Sequence, residues 1–111
     1  MRREKIVIIG DVTLTVKEMR VCDIIRLQHD APHLLVGMAI GDPEAIMQAM
    51  RLCVEPVEQL DAVTDGVNGY ALLEQAWREV NADFLAVLPA RLEVLRSVTE
   101  TLGRSLTGAT A

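Results

Sequence analysis

Aromatic side chains are nearly missing from this chain of 111 residues, which holds one tryptophan, one tyrosine and one phenylalanine. Half of the residues are nevertheless hydrophobic, so a core has to be built from Leu, Val, Ile, Ala and Met. Cysteine is scarce too. Cys22 and Cys53 are the only two, which excludes a disulfide framework and fits a reducing compartment. No basic patch stands out among the 11 Lys and Arg residues, and the net charge is −5. Nucleic acid is therefore not an expected ligand, because phosphate contacts need clustered positive charge.

Long apolar runs are absent as well. The apolar start "KIVIIG" stops after Ile9, short for the apolar stretch of a secretory signal, and no small-residue cleavage site follows. Residues 34–40 form the longest later run, far below the ~20 residues that a bilayer span needs. A soluble protein without a membrane partner is expected, and one domain suits the length.

"KIVIIGDVTLTV" has two Val/Ile/Thr-rich runs around Gly10-Asp11, which predicts a β-hairpin over about 4–16. Thr15 and Glu18 stand at capping-box spacing, and Leu14 and Met19 at the staple positions. A helix starting there is expected, fading before Pro32. At "GDPEAIMQAMRLCVEP", Asp42 is a good N-cap, Pro43 suits the first helical position, and Pro56 marks the end. A connector with one helical turn should follow, closed by Gly66, Asn68 and Gly69.

Tyr70, Leu73, Trp77, Val80, Phe84 and Val87 alternate at spacings of three and four, the mark of an amphipathic helix. The pattern resumes after Pro89, where a kink or break is expected. Leu92, Leu95, Val98, Leu102 and Leu106 then give a C-terminal helix over about 90–106. The fold class expected is mainly α with a short N-terminal β-hairpin, a small α+β domain with a helical body over about 17–88.

Candidate chemistry is thin. His29 and His33 are four apart, but Pro32 intervenes and no glutamate completes a zincin motif. They are read as solvated histidines at a helix end, without a metal. The cysteines form no Cys-x-x-Cys, and both fall on apolar stripes as core thiols. Asp61 and Asp65 read as a solvated face. Without a phosphate loop, nucleophile motif or dinucleotide fingerprint, a binding protein that needs no cofactor is expected rather than an enzyme.

The methionines carry two readings. Met19, Met38, Met47 and Met50 can fill a core, or can line a surface that repacks around apolar partners. On the second reading Leu34, Leu35, Met38, Ile46, Met47 and Met50 form part of a client groove, with the Gly41-Asp42-Pro43 break letting two short helices shift.

"LEQAWREVNADFLA" resembles the signature of tail assembly chaperones of long-tailed phages, of the Mu-like and siphophage type. Those proteins have a helix of the form Leu-x-x-x-(Trp/Phe)-(Arg/Lys)-Glu-Val-Asn followed closely by Phe. Leu73, Trp77, Arg78, Glu79, Val80, Asn81 and Phe84 supply it here. Thr15-Val16-Lys17-Glu18-Met19 is similar to the segment that follows their hairpin. The chain departs from the pattern at Asn81-Ala82-Asp83-Phe84-Leu85 and Thr64-Asp65-Gly66, where family members often have Asn-Pro with consecutive Phe residues and Thr-Pro-Ser.

The resemblance implies that the aromatic stripe is a shared structural core. It also implies a client, the hydrophobic tape-measure protein, kept soluble in the host cytoplasm before tail-tube subunits are recruited. An alternative is a small inhibitor or adaptor of one host protein. In either case a homo-oligomer is expected, through the hairpin edge or the C-terminal stripe.

Overall fold

The computed structural model describes residues 2–93. Strands β1 (Glu4–Ile9) and β2 (Val12–Lys17) pair antiparallel, with Ile9 opposite Val12 and Val7 opposite Leu14. Gly10 supplies a φ of 59° at the first of the two loop positions, and among the described residues no non-glycine residue has a positive φ. That is the type II′ pattern, in which glycine first and aspartate second is the fitting order. Two further residues, β3 (Val54–Glu55), pair with Val16 and Thr15 to give the sheet order β1-β2-β3.

The helices are α1 (Val21–Asp30), α2 (Pro32–Ile40), α3 (Pro43–Cys53), α4 (Leu60–Val63) and α5 (Val67–Val80), followed by α6 over residues 82–93. A 3-10 turn, Val57–Gln59, precedes α4. The domain is a small α+β fold, mainly helical, as expected.

Helix α3 starts as its sequence dictates. The Asp42 side chain accepts a hydrogen bond from the Glu44 N–H at 3.3 Å, and Pro43 opens the helix. Capping at Thr15 does not occur. Thr15 lies within β2, paired with Ile6 and Glu55, and α1 begins only after Arg20, with no side-chain cap. The Glu18 carboxylate turns to the Arg3 N–H instead, at 3.1 Å, while the Glu18 N–H bonds the Arg3 carbonyl. The ladder thus claims these residues before a helix can. Pro32 also acts differently from expectation: it opens α2 from its first position, where a missing N–H is harmless.

Helix α5 begins at Val67, so Asn68 and Gly69 belong to it rather than to a turn. Gly69 is needed there for closeness, because a Cβ would collide with the Val63 carbonyl oxygen. Pro89 lies within the helical span, and the interruption expected there falls at Asn81 instead. The C-terminal stripe beyond Leu92 lies outside the described residues.

The core lies between the sheet and the helices. Val7, Leu14 and Val16 from the sheet meet Leu73, Ala76, Trp77 and Val80 of α5, with Ile46, Ala49 and Met50 of α3 completing it. Helix α5 therefore packs on the hairpin. Leu88 of α6 and Leu60 of α4 are also buried.

Candidate functional site

The motif residues divide by depth. Leu73 and Trp77 have no exposed surface, and Val80 retains 5%. Arg78 and Glu79 are exposed, and both are paired. Arg78 bonds the Glu74 carboxylate at 2.9 Å, one turn earlier. Glu79 pairs with Lys5 of β1, which holds its carboxyl below the usual range. Phe84 is half-buried.

Asn81 is the only fully buried polar side chain among the described residues. Its Oδ1 accepts from the Met19 N–H and its Nδ2 donates to the Trp77 carbonyl, each at 2.9 Å. The first bond joins the chain just past the hairpin to the α5–α6 junction. The second adds to the bond that the Asn81 backbone N–H already makes to the same carbonyl in the last turn of α5. Both ends of one amide are used, so the segment cannot detach without leaving buried polar groups unpaired.

On either side of this anchor the chain opens into a groove of ≈ 620 Å³. One wall is Met19 with Val21, Ile24 and Ile25 of α1, and the other is Phe84 and Val87 of α6. Arg2, Arg20 and Arg91 stand around it with Glu18 and Asp83. Helix α1 is amphipathic, yet none of its residues is fully buried. Val21 remains 69% exposed, Ile25 52% and Val87 47%. Clustered exposed apolar positions are the kind of surface that can mark an interaction site.

The groove assigned to residues 34–50 is not an open surface. Leu35, Met38, Ile46 and Met50 are at most 3% exposed and belong to the core, while Leu34 and Met47 only pack against it. Nor do α2 and α3 have room to slide at their contact, since a Cβ on Gly37 would strike Ala45. Sequence spacing shows a stripe but not which partner covers it, and here α2 and α3 cover each other.

The remaining candidates are dispersed. His29 lies in the last turn of α1 and His33 in the first turn of α2, both exposed. Among the described residues no group of three His, Cys, Asp or Glu side chains is placed to hold a metal. Cys22 is exposed, contrary to its assignment as a core thiol. Cys53 is buried, its Sγ donates to the Ala49 carbonyl at 3.3 Å, and burial pushes its thiol up to about 12. Asp61 bonds Arg51 at 2.7 Å rather than facing Asp65. No helix among the described residues is long and apolar enough to cross a membrane.

Sequence reasoning singled out Met19 and Phe84, but not their meeting. The long-range bond from Met19 to Asn81 joins the two regions, and a lone asparagine in a helical stripe does not announce a distant partner. No known family model, no curated protein and no solved structure matches this chain.

Proposed function

We propose that the protein is a holding chaperone of the phage tail-assembly type, which seats an apolar helical stretch of a tape-measure protein in the groove between α1 and α6. The observation that carries this reading is α1, an amphipathic helix without one fully buried residue, facing Phe84 and Val87 across the groove. A client helix laid there would cover the apolar positions Val21, Ile25 and Val87, in the manner of helix-in-groove recognition. The mixed charges around it orient such a helix without demanding an anionic one. The motif around Trp77 supports the same reading by resemblance, since its buried members build the platform from which both walls leave. Several copies along one long client would add through effective concentration, so weak single-site binding suffices.

Co-expression with the tape-measure protein followed by capture tests the reading. Ile25→Asp and Val87→Asp alter exposed positions and should leave thermal stability unchanged while abolishing capture and client solubility. Retention of wild-type capture by both variants removes the groove as the client site. A client that is soluble and unbound when expressed alone removes the chaperone role.

A further inference from the structure

We infer that the groove between α1 and α6 selects, among apolar helices, those that carry carboxylates along the flanks of the apolar stripe. This deepens the proposed function and rests on it, because it names the class of client segment that the same groove prefers. The observation behind it is the distribution of basic side chains. Arg3, Lys5, Lys17, Arg26, Arg51 and Arg78 each pair with a carboxylate of the chain. Among the described residues this leaves Arg2, Arg20 and Arg91 without an ion pair, and all three line the groove.

The carboxylates of the groove do not answer these charges. Asp83 is held by the Arg3 guanidinium at 3.0 Å, and Glu18 accepts from the Arg3 N–H at 3.1 Å. Arg2 donates its Nε to the Glu18 carbonyl at 2.8 Å, a neutral acceptor that leaves the arginine charge in place. The lining therefore sets three cations against two carboxylates, with Asp83 already neutralised, in a chain whose net charge is −5. Charge of one sign beside an apolar seat discriminates between partners more than it adds affinity. Seating does not require carboxylates on the client; they decide which of several apolar helices is kept.

The spacing of the cations gives the pattern they match. Arg20 immediately precedes α1, and the bond from Met19 to Asn81 sets that end of α1 beside the start of α6. Arg91 follows Asp83 along α6 by about two helical turns, ~12 Å. The matching client has acidic positions about two turns apart, beside a stripe that covers Val21, Ile25 and Val87. The chain's own last residues carry the wrong sign for this role, since Arg96 and Arg104 outnumber Glu100.

The test uses the full chain and synthetic helical peptides, each with one Leu-rich stripe flanked by Glu, by Gln or by Lys. Fluorescein on the peptide reports binding through anisotropy. At low salt the Glu-flanked peptide should bind about threefold to tenfold more tightly than the Gln-flanked one, as a few exposed ion pairs allow. The Lys-flanked peptide should bind most weakly. The chain as a whole repels the Glu-flanked peptide, so this order requires the local arginines. Arg20→Gln combined with Arg91→Gln should bring the Glu-to-Gln affinity ratio to about one or below, and ~0.5 M salt should shrink it in the unaltered chain. Circular dichroism confirms that each variant is folded. Equal binding of the Glu- and Gln-flanked peptides, lost in Ile25→Asp, overturns the inference and leaves the groove reading standing; so does a preference that survives the double substitution. Binding of none of the peptides, or binding indifferent to Ile25→Asp, overturns both. Binding to phosphatidylglycerol vesicles, or self-association, that the double substitution abolishes assigns the arginines to a lipid surface or to a second copy and overturns the inference.

Discussion

Replacing Asn81 by alanine removes the buried polar contact that ties the chain just past the hairpin to the end of α5. The Met19 N–H loses its only acceptor, and with Met19 5% exposed it becomes a buried orphan, at a cost of ~1–3 kcal/mol. The Trp77 carbonyl fares better, because it still accepts the Asn81 backbone N–H at 3.0 Å; its loss is about 1 kcal/mol. The expected destabilisation is therefore about 2–4 kcal/mol, a large share of the ~5–15 kcal/mol that holds a domain together. It should lower the midpoint of thermal unfolding by roughly 10–20 °C, and the buried Trp77 provides the fluorescence signal.

A second substitution separates hydrogen bonding from packing. Asn81→Asp keeps the shape, but the ionised side chain has no donor for the Trp77 carbonyl, whereas the protonated acid can make both bonds. Its folded pKa must then lie above the unfolded value of ~3.9. The acid form is the one the fold prefers, so the variant approaches wild type below that value and falls away as pH rises through it toward the folded pKa. Urea unfolding at pH 4 and pH 7 should show the deficit widening at pH 7. An alanine variant within about 0.5 kcal/mol of wild type, or an aspartate variant whose deficit widens on acidification, refutes the anchoring role.

Two further expectations are simpler. Met50→Glu should abolish cooperative unfolding, because it places a carboxylate in a site with no exposed surface, whereas Met47→Glu at the core's margin should fold; a folded Met50→Glu chain would restore the surface reading of that helix. Under native conditions Cys22 should react with maleimide and Cys53 should not, since a thiol pushed up to about 12 supplies almost no thiolate. Mass spectrometry before and after urea unfolding reads this, and equal labelling of both cysteines contradicts the burial of Cys53.

The elements that were legible in the sequence are those whose signals are local. The hairpin and α3 are specified by residues that lie within them: alternating Val/Ile/Thr around Gly10, and Asp42 capping ahead of Pro43. Errors arose where a distant partner competed. Thr15 and Glu18 have capping spacing, yet β1 and the two-residue β3 hold Thr15 in the sheet. Val54 and Glu55 are too few to show a strand period, so β3 had no signal of its own. The site was half legible for the same reason. Its aromatic residue Phe84 is visible on the stripe, but the groove's two walls meet where residues 62 apart in sequence share a hydrogen bond.

That separation has a consequence for the chain as it leaves the ribosome. The inner face of the hairpin, Val7, Leu14 and Val16, is covered mainly by α5, and the amide that locks the arrangement is made 62 residues after Met19. At ~5–20 residues per second, translation leaves that apolar face uncovered for about 3–12 s. During this interval the newborn hairpin is itself a sticky surface, beside others emerging from the same message. A protein read here as a keeper of apolar clients thus begins life needing the same protection, and neighbouring copies are the nearest source of it.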